Sequence, residues 1–233
     1  MKRYRFAYRE TVVSILTESD EFYEIAVEAI LEARSEIERY IVLHPEFYTS
    51  YEPVECHGSE IIERMCRAAK IANVGPMASV AAAVAAHAVR KMSEAGAKLA
   101  VVDNGGDIVF RSDRELKIGV YPTEIAIVLE PREFYAVCTS SGKIGHSVSF
   151  GYADAACVLG EEPEVCDALA TALGNAVKKD FGKEELKSCV ADFFETYSDY
   201  VDAILVAKDD LIAYAGDLKL VPAKIDYDLI TKG

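Results

Sequence analysis

The segment spanning residues 76–94 constrains the fold most, because it is apolar nearly all the way round a helix. Pro76 suits the first turn of a helix, and Gly96 ends the pattern. Arg90 and Lys91 close the alanine-rich run well before it is long enough to span a membrane. A helix without a polar face must be surrounded by other elements, so the sequence predicts a central, buried helix.

Helical and strand patterns come in separate blocks along the rest of the chain. Helices are predicted at residues 22–43, 59–72, 163–179 and 183–197, with a loop rich in tyrosine and proline at 45–58. Strands are predicted within 3–16 (two, with a turn near Arg9 and Glu10), at 99–103, 108–111, 116–121, 125–129 and 135–139, in the apolar run before residue 160, and at 203–207 and 211–214, followed by an irregular C-terminus. This order predicts an α+β fold with a mixed or antiparallel sheet flanked by helices. We expect one domain over residues 1–233, with a possible subdivision into 1–96 and 97–233.

Composition limits the classes of partner. The chain is 51% hydrophobic, so a packed core is expected. Its net charge of −14 argues against nucleic acid as a partner. An anionic ligand would need backbone amides, a helix N-terminus or a bridging cation. The N-terminus is charged and alternating, and the chain has no long apolar run, so we expect a cytoplasmic protein without a membrane partner. In the cytoplasm, its six cysteines are expected to be reduced. A homodimer is a reasonable expectation.

A polar row marks the predicted helix after Pro163. Asp167, Thr171 and Asn175 are spaced four residues apart, so they lie on one side of the helix, while small alanines flank them. Asp167 is too far into the helix to cap its start. A carboxylate and a hydroxyl one turn apart present two oxygens to a hard cation such as Mg²⁺. The alternative is a solvated helix face.

Two glycine-bearing turns come earlier in the chain. Asn104, Gly105, Gly106 and Asp107 lie between two apolar strands, which is a strong hairpin signal and also leaves room for a ligand against the backbone. The segment from Gly75 to Met77 opens the alanine-rich helix. It is either a plain helix start or an anion site at the positive end of that helix.

A third turn follows an apparent strand. Thr139, Ser140, Ser141 and Gly142 offer hydroxyls and free amides for a ligand, although a plain turn explains them equally well. His146 follows four residues later and is a candidate general acid or base, or a ligand donor, against a purely structural role. The sequence contains no Ser-His-Asp order, no P-loop and no GxGxxG motif.

Four motifs, taken together and in order, resemble the ApbE superfamily, whose best-known members are FAD:protein FMN transferases. The motifs are VGPMA at residues 74–78, VDNGGDI at 102–108, TSSGKIGHSVSFGYADA at 139–155 and DALATALGN at 167–175. The resemblance is closest to a shorter, cytoplasmic branch and extends over nearly the whole chain. It implies the ApbE-like α+β fold.

The resemblance also implies roles for individual residues. In the transferases the aspartate and threonine of the last motif bind Mg²⁺, which assigns that role to Asp167 and Thr171. The glycine-rich turn and the serine-bearing turn border the FAD site. This implicates Asn104, Gly105, Gly106, Asp107, Thr139, Ser140, Ser141, Gly142 and His146, with Gly75 and Met77 at the start of the buried helix. The transferases carry aspartate-proline shortly after their histidine, where this chain has Ser149 and Phe150.

Three hypotheses about function follow. The first is a Mg²⁺-dependent transferase or hydrolase acting on FAD or a related nucleotide pyrophosphate. The second is a non-catalytic protein that binds or carries such a phosphate-bearing ligand. The absence of the aspartate-proline of the transferases favours this hypothesis. The third is sulfur handling through the thiol of Cys138 or Cys56. Whether the chain is an enzyme is therefore left open by the sequence.

Overall fold

The fold is built on a large antiparallel sheet. The computed structural model describes residues 1–142 and 151–224. The strands are β1 (Lys2–Tyr8), β2 (Thr11–Thr17), β3 (Leu99–Asn104), β4 (Asp107–Ser112), β5 (Leu116–Val120), β6 (Ile125–Leu129), β7 (Arg132–Ser140), β8 (Ala155–Gly160), β9 (Ala203–Lys208), β10 (Leu211–Gly216) and β11 (Lys219–Pro222). Eight of them form one sheet in the order β1-β2-β3-β4-β7-β8-β9-β10, and each neighbouring pair is antiparallel. Strands from before and after residue 96 therefore pair in the same sheet.

The helices pack on one face of this sheet. They are α1 (Asp20–Leu43), α2 (Pro45–Thr49), α3 (Glu60–Ala72), α4 (Val80–Glu94), α5 (Pro163–Ala176) and α6 (Lys183–Tyr197), with a 3₁₀ turn at Pro76–Ser79 leading into α4. The alanines of α4 are buried in one large core together with side chains of α1, α3 and α5, which confirms the predicted central helix. Small side chains allow this close approach of several helices.

A smaller sheet covers part of the opposite face. It has the order β11-β6-β5 and is also antiparallel. Ile127 of this sheet shares a second core with Phe110, Tyr135 and Leu205 of the large sheet. The central strands are thus buried on both faces, which explains why β8 is apolar along its whole length and β9 is apolar up to Lys208.

The α+β class and the antiparallel arrangement agree with the sequence, but three local expectations were wrong. The expected loop at 45–58 begins with the short helix α2, because Pro45 suits a first turn and Phe47 is buried. The helix expected to reach residue 179 ends at Ala176, after which Val177 is extended. The expected irregular C-terminus contains β11, which is held by pairing with the distant strand β6.

The cysteines also depart from expectation. Cys56 and Cys66 form a disulfide that ties the segment after α2 to the middle of α3, with their Cα atoms 6.2 Å apart. Cys138, Cys157 and Cys166 are buried free thiols, and Cys189 is a half-buried one. The expectation that all six cysteines are reduced was therefore wrong for the first two.

Within residues 1–142 and 151–224, no single helix is long and apolar enough to cross a membrane. The segments Glu60–Ala72 and Pro76–Glu94 would be long enough together, but they are bent by 105° relative to each other.

Candidate functional site

The side chain of Asp167 meets the amino end of the central helix. Asp167 lies in the second turn of α5, and only 7% of its surface is exposed. Its Oδ2 accepts a hydrogen bond from the amide of Ala82, at 3.0 Å. Ala82 is the third residue of α4, and the first amides of a helix have no partner within it. A carboxyl from one helix thus occupies the positive end of another.

The diglycine turn lies against the same helix end. Asn104 and Asp107 face each other across a two-residue hairpin, in which Gly105 and Gly106 have φ values of 71° and 105°. Positive φ at both positions is the conformation that glycine permits and that this hairpin requires. Asn104 Nδ2 donates a hydrogen bond to the carbonyl oxygen of Ala81 at 3.0 Å, which fixes the turn on the start of α4.

Asp107 connects the diglycine turn to the serine-bearing turn. Its carboxyl is buried, and Oδ1 accepts a hydrogen bond from the amide of Thr139 at 3.2 Å. The pKa of Asp107 is raised to about 7, chiefly by burial and to a lesser extent by the charge of Asp103, against the lowering effect of the Thr139 amide. Asp107 therefore changes its protonation near neutral pH.

Asp167 and Asp107 influence each other electrostatically. Burial raises the pKa of Asp167 well above its usual range, and the carboxylate of Asp107 is the next largest cause. The amide of Ala82 acts in the opposite direction. Buried carboxylates that repel each other are stabilised by a shared proton or by a cation.

The oxygen donors near Asp167 suit a hard divalent cation. Thr171 follows Asp167 by one helical turn and is half-buried, so a hydroxyl and a carboxyl lie on the same side of α5. Carboxylate and hydroxyl oxygens are the ligands that Mg²⁺ accepts, usually together with waters and phosphate. Within the described residues, no group of three or more His, Cys, Asp or Glu side chains is arranged to hold a metal. The protein's own donors would therefore be few, and a ligand would have to complete the shell.

A third buried acid lies one turn before Asp167. Glu164 is buried at the start of α5 and pairs with Arg90, whose Nη1 lies 3.3 Å from Glu164 Oε1. Arg90 also lies over the ring of Phe134, 4.9 Å from its centroid. Arg90 thus balances Glu164, which leaves Asp107 and Asp167 as the buried acids that form no ion pair with another described residue.

Ser140 is a buried hydroxyl at the end of β7. Only 6% of its surface is exposed, and its Oγ has no hydrogen-bond partner in the part of the chain that the structure describes. Oγ1 of the neighbouring Thr139 lies 3.3 Å from Cys157 Sγ. A buried hydroxyl without a partner costs free energy, so Ser140 is suited to bonding a ligand or a water molecule.

The segment after Ser140 packs tightly on the carboxyl end of α5. Gly142 donates its amide to the carbonyl of Ala153 at 3.0 Å. A Cβ atom on Gly142 would collide with the carbonyl of Gly151, and one on Gly151 would collide with that of Gly174. Ser141 and Gly142 themselves are half-buried. His146, the candidate general acid or base, lies outside the described residues, as do Ser149 and Phe150.

The start of the central helix packs closely on the end of α2, and the binding roles of Gly75 and Met77 stay predictions. A Cβ atom on Gly75 would collide with the carbonyl oxygen of Ser50, so the absence of a side chain serves backbone packing. Met77, in the following 3₁₀ turn, is half-buried against the core. The sequence did not single out Tyr48 and Tyr51 beside this turn, which are 61% and 64% exposed. Their only signal was the tyrosine-rich composition of that stretch.

The thiols do not support sulfur chemistry. Cys138 is fully buried and donates to the carbonyl of Pro163, with 3.6 Å between the sulfur and the oxygen. Burial and the charge of Asp107 raise the pKa of Cys138 well above its usual range. A thiol that resists ionisation is a poor nucleophile. Cys56, the other candidate, is held in the disulfide.

Comparison with solved structures identifies the class of fold. The structure is similar to the ApbE protein of Thermotoga maritima, with a TM-score of 0.64 and 15% identity, covering 100% of this chain and 99% of that one. It is also similar to the apo flavinyl transferase ApbE of Pseudomonas stutzeri, with a TM-score of 0.59 and 11% identity, covering 100% and 97%. The chain therefore has the ApbE fold.

Sequence comparison then identifies the family. A family model described as "AbpE bacteria" matches residues 1–213, and the chain belongs to this family. It is 63% identical to a UPF0280 protein of Archaeoglobus fulgidus over 234 residues, covering 100% of both chains. It is 42% identical to a UPF0280 protein of Methanothrix thermoacetophila over 243 residues, again covering 100% of both. The resemblance to the ApbE superfamily is thereby confirmed.

Proposed function

We propose that this protein binds FAD or a related nucleotide pyrophosphate together with Mg²⁺ and breaks the pyrophosphate bond. With FAD, the FMN group would pass to water or to an acceptor hydroxyl, and AMP would leave. The observation that supports this most directly is the position of Asp167 on the amino end of α4, beside Asp107 of the diglycine turn. Backbone amides and paired acids in one place suit a cation that is itself bound to an anionic ligand. The bound cation would also offset the repulsion between an anionic ligand and a chain whose net charge is −14.

The chain's own residues have separate parts in this proposal. Asp167 and Thr171 would hold Mg²⁺, which supplies neutralisation of the charge that develops on the pyrophosphate. Ser140 would donate its unused hydroxyl to the ligand, and Gly105 and Gly106 leave the backbone of the turn accessible.

The test is release of AMP from FAD. Purified protein is incubated with FAD and Mg²⁺, and AMP is measured by chromatography for the wild type, Asp167→Asn and Asp113→Asn. Asp113 is an exposed acid paired with Arg114, so its variant controls for the loss of one charge. We expect Asp167→Asn to lower the rate by about a hundredfold or more, as for other groups that stabilise transition-state charge. Equal rates in wild type and Asp167→Asn would refute the proposal.

The same experiment separates the catalytic function from simple binding. Ser149 and Phe150 replace the aspartate-proline of the transferases, which favours a protein that retains its ligand without turnover. In that case FAD would bind in calorimetry with Mg²⁺ present, Asp167→Asn would weaken binding, and no AMP would form. If neither binding nor AMP release is seen, both functions are wrong.

A further inference from the structure

A groove on another face of the molecule has the features of a docking surface. It has a volume of about 870 Å³ and runs along the outer side of α1 beside β1. Phe6, Val27 and Leu31 form apolar parts of its lining, and Leu31 is 37% exposed. The groove shares no residue with the candidate site around Asp167. The rest of the lining is rich in glutamate, although Arg39 and His87 also contribute to it. An exposed apolar strip of this kind on a long helix is suited to covering by another chain.

Glutamates run along the same groove. Glu24, Glu28, Glu32 and Glu36 lie four residues apart, so they follow one side of α1 through three turns. Glu32 lies 3.5 Å from His87 Nε2. Glu24, Glu28 and Glu36 form no ion pair with any other residue that the structure describes. Like charges at this spacing destabilise a helix, and a cationic surface would relieve the repulsion.

We propose that this groove binds a basic amphipathic helix of a partner protein. One side of the partner helix would cover Phe6, Val27 and Leu31 with apolar side chains. Its lysines or arginines, spaced three or four residues apart, would meet the row of glutamates. The row spans about 18 Å along α1, which corresponds to a partner segment of about 12 residues. Binding of a helix in an apolar groove through such anchors is a known mode of recognition.

Other occupants fit this face less well. Two copies of the chain related by a two-fold axis would bring one row of glutamates against the other, and like charges across an interface are unfavourable. The acidic rim would also be repelled by anionic lipids. A small cation alone would leave Val27 and Leu31 exposed to water. A chain that is both basic and apolar satisfies both features.

The probe is a labelled synthetic helix of 14 residues with leucines on one side and lysines flanking them. A scrambled peptide of the same composition serves as its control. Binding to the full chain is measured by fluorescence anisotropy at about 0.15 M salt, where long-range attraction by net charge is screened. The variants are Glu28→Gln/Glu36→Gln, Leu31→Ser, and Glu184→Gln/Glu195→Gln. The last removes two exposed charges from α6 and so matches the change in net charge.

We expect the groove variants to weaken binding and the α6 variant to leave it unchanged. Loss of two ion pairs should raise Kd by about tenfold, and Leu31→Ser by about fivefold. Equal binding of the scrambled peptide, equal loss in the α6 variant, or no binding would overturn the proposal. It would also be overturned if sedimentation showed a dimer that Leu31→Ser dissociates, or if anionic vesicles bound and Leu31→Ser abolished it.

Discussion

Asp167 Oδ2 and the amide of Ala82 lie 3.0 Å apart, although 85 residues separate them in the chain. The bond joins the second turn of α5 to the first turn of α4. It brings a buried acid to the positive end of a helix that otherwise has no side-chain cap, since Ser79 makes none. The contact stabilises the start of α4, and the proposed function depends on the same carboxyl.

Asp167→Asn and Asp167→Ala should differ in stability. Burial and Asp107 raise the pKa of Asp167, so a neutral amide is a good substitute and still offers an oxygen to Ala82. We expect Asp167→Asn to change the free energy of unfolding by under about 1 kcal/mol, and Asp167→Ala to lower it by about 2 kcal/mol because the Ala82 amide loses its acceptor. Urea unfolding in the presence of a chelator measures both. Equal stability of the two variants would contradict the prediction.

Asp107 should make the stability of the metal-free protein depend on pH. Its folded pKa of about 7 lies above the ordinary value of 3.8, so the folded chain binds more protons than the unfolded chain between these values. Stability contributed by the protonated form is therefore lost as pH rises from about 4 to 7. Asp107→Asn should flatten this dependence and stabilise the protein at pH 8 by up to about 4 kcal/mol. An unchanged pH profile in this variant would show that Asp107 titrates normally.

Gly75 and Gly119 provide a matched pair of glycines. A Cβ atom on Gly75 would collide with the carbonyl of Ser50, whereas one on Gly119 would meet no atom within 4 Å. We expect Gly75→Ala to lower the free energy of unfolding by about 3 kcal/mol, because two backbone segments must separate. Gly119→Ala should change it by under about 1 kcal/mol. Thermal melts of both variants test this, and similar melting temperatures would be inconsistent with the close packing.

Removal of the disulfide should destabilise the segment beside the central helix. Cys56 and Cys66 are separated by 10 residues in sequence, and closing a loop of this length contributes about 3 kcal/mol by reducing the entropy of the unfolded chain. Cys56→Ser is expected to show this loss. Cys189→Ser, at a free and half-buried cysteine, should be nearly neutral. If a reducing agent leaves the wild-type melting temperature unchanged, the disulfide does not stabilise the protein.

Several elements were predictable because their signals are local. The hairpin at Gly105 and Gly106 follows from the need for positive φ, and α4 follows from a run of residues with no polar face. The row of Asp167 and Thr171 follows from helical spacing. By contrast, β11 depends on pairing with the distant strand β6, so no local pattern indicates it. The disulfide joins cysteines only 10 residues apart, but their meeting depends on how the loop before α3 folds back on that helix.

The sequence by itself determined most of the helices and strands, but not α2 or β11. It also determined that α4 is buried and that a polar row interrupts α5. Only the tertiary structure decided that Asp167 is buried on the start of α4, that Asp107 is its electrostatic neighbour, and that Gly75 serves the packing of Ser50. The physical reason is that the two kinds of effect act over different distances along the chain. Periodicity and turn chemistry act over a few residues, whereas burial and the raised pKa values arise when distant segments exclude water from the same place.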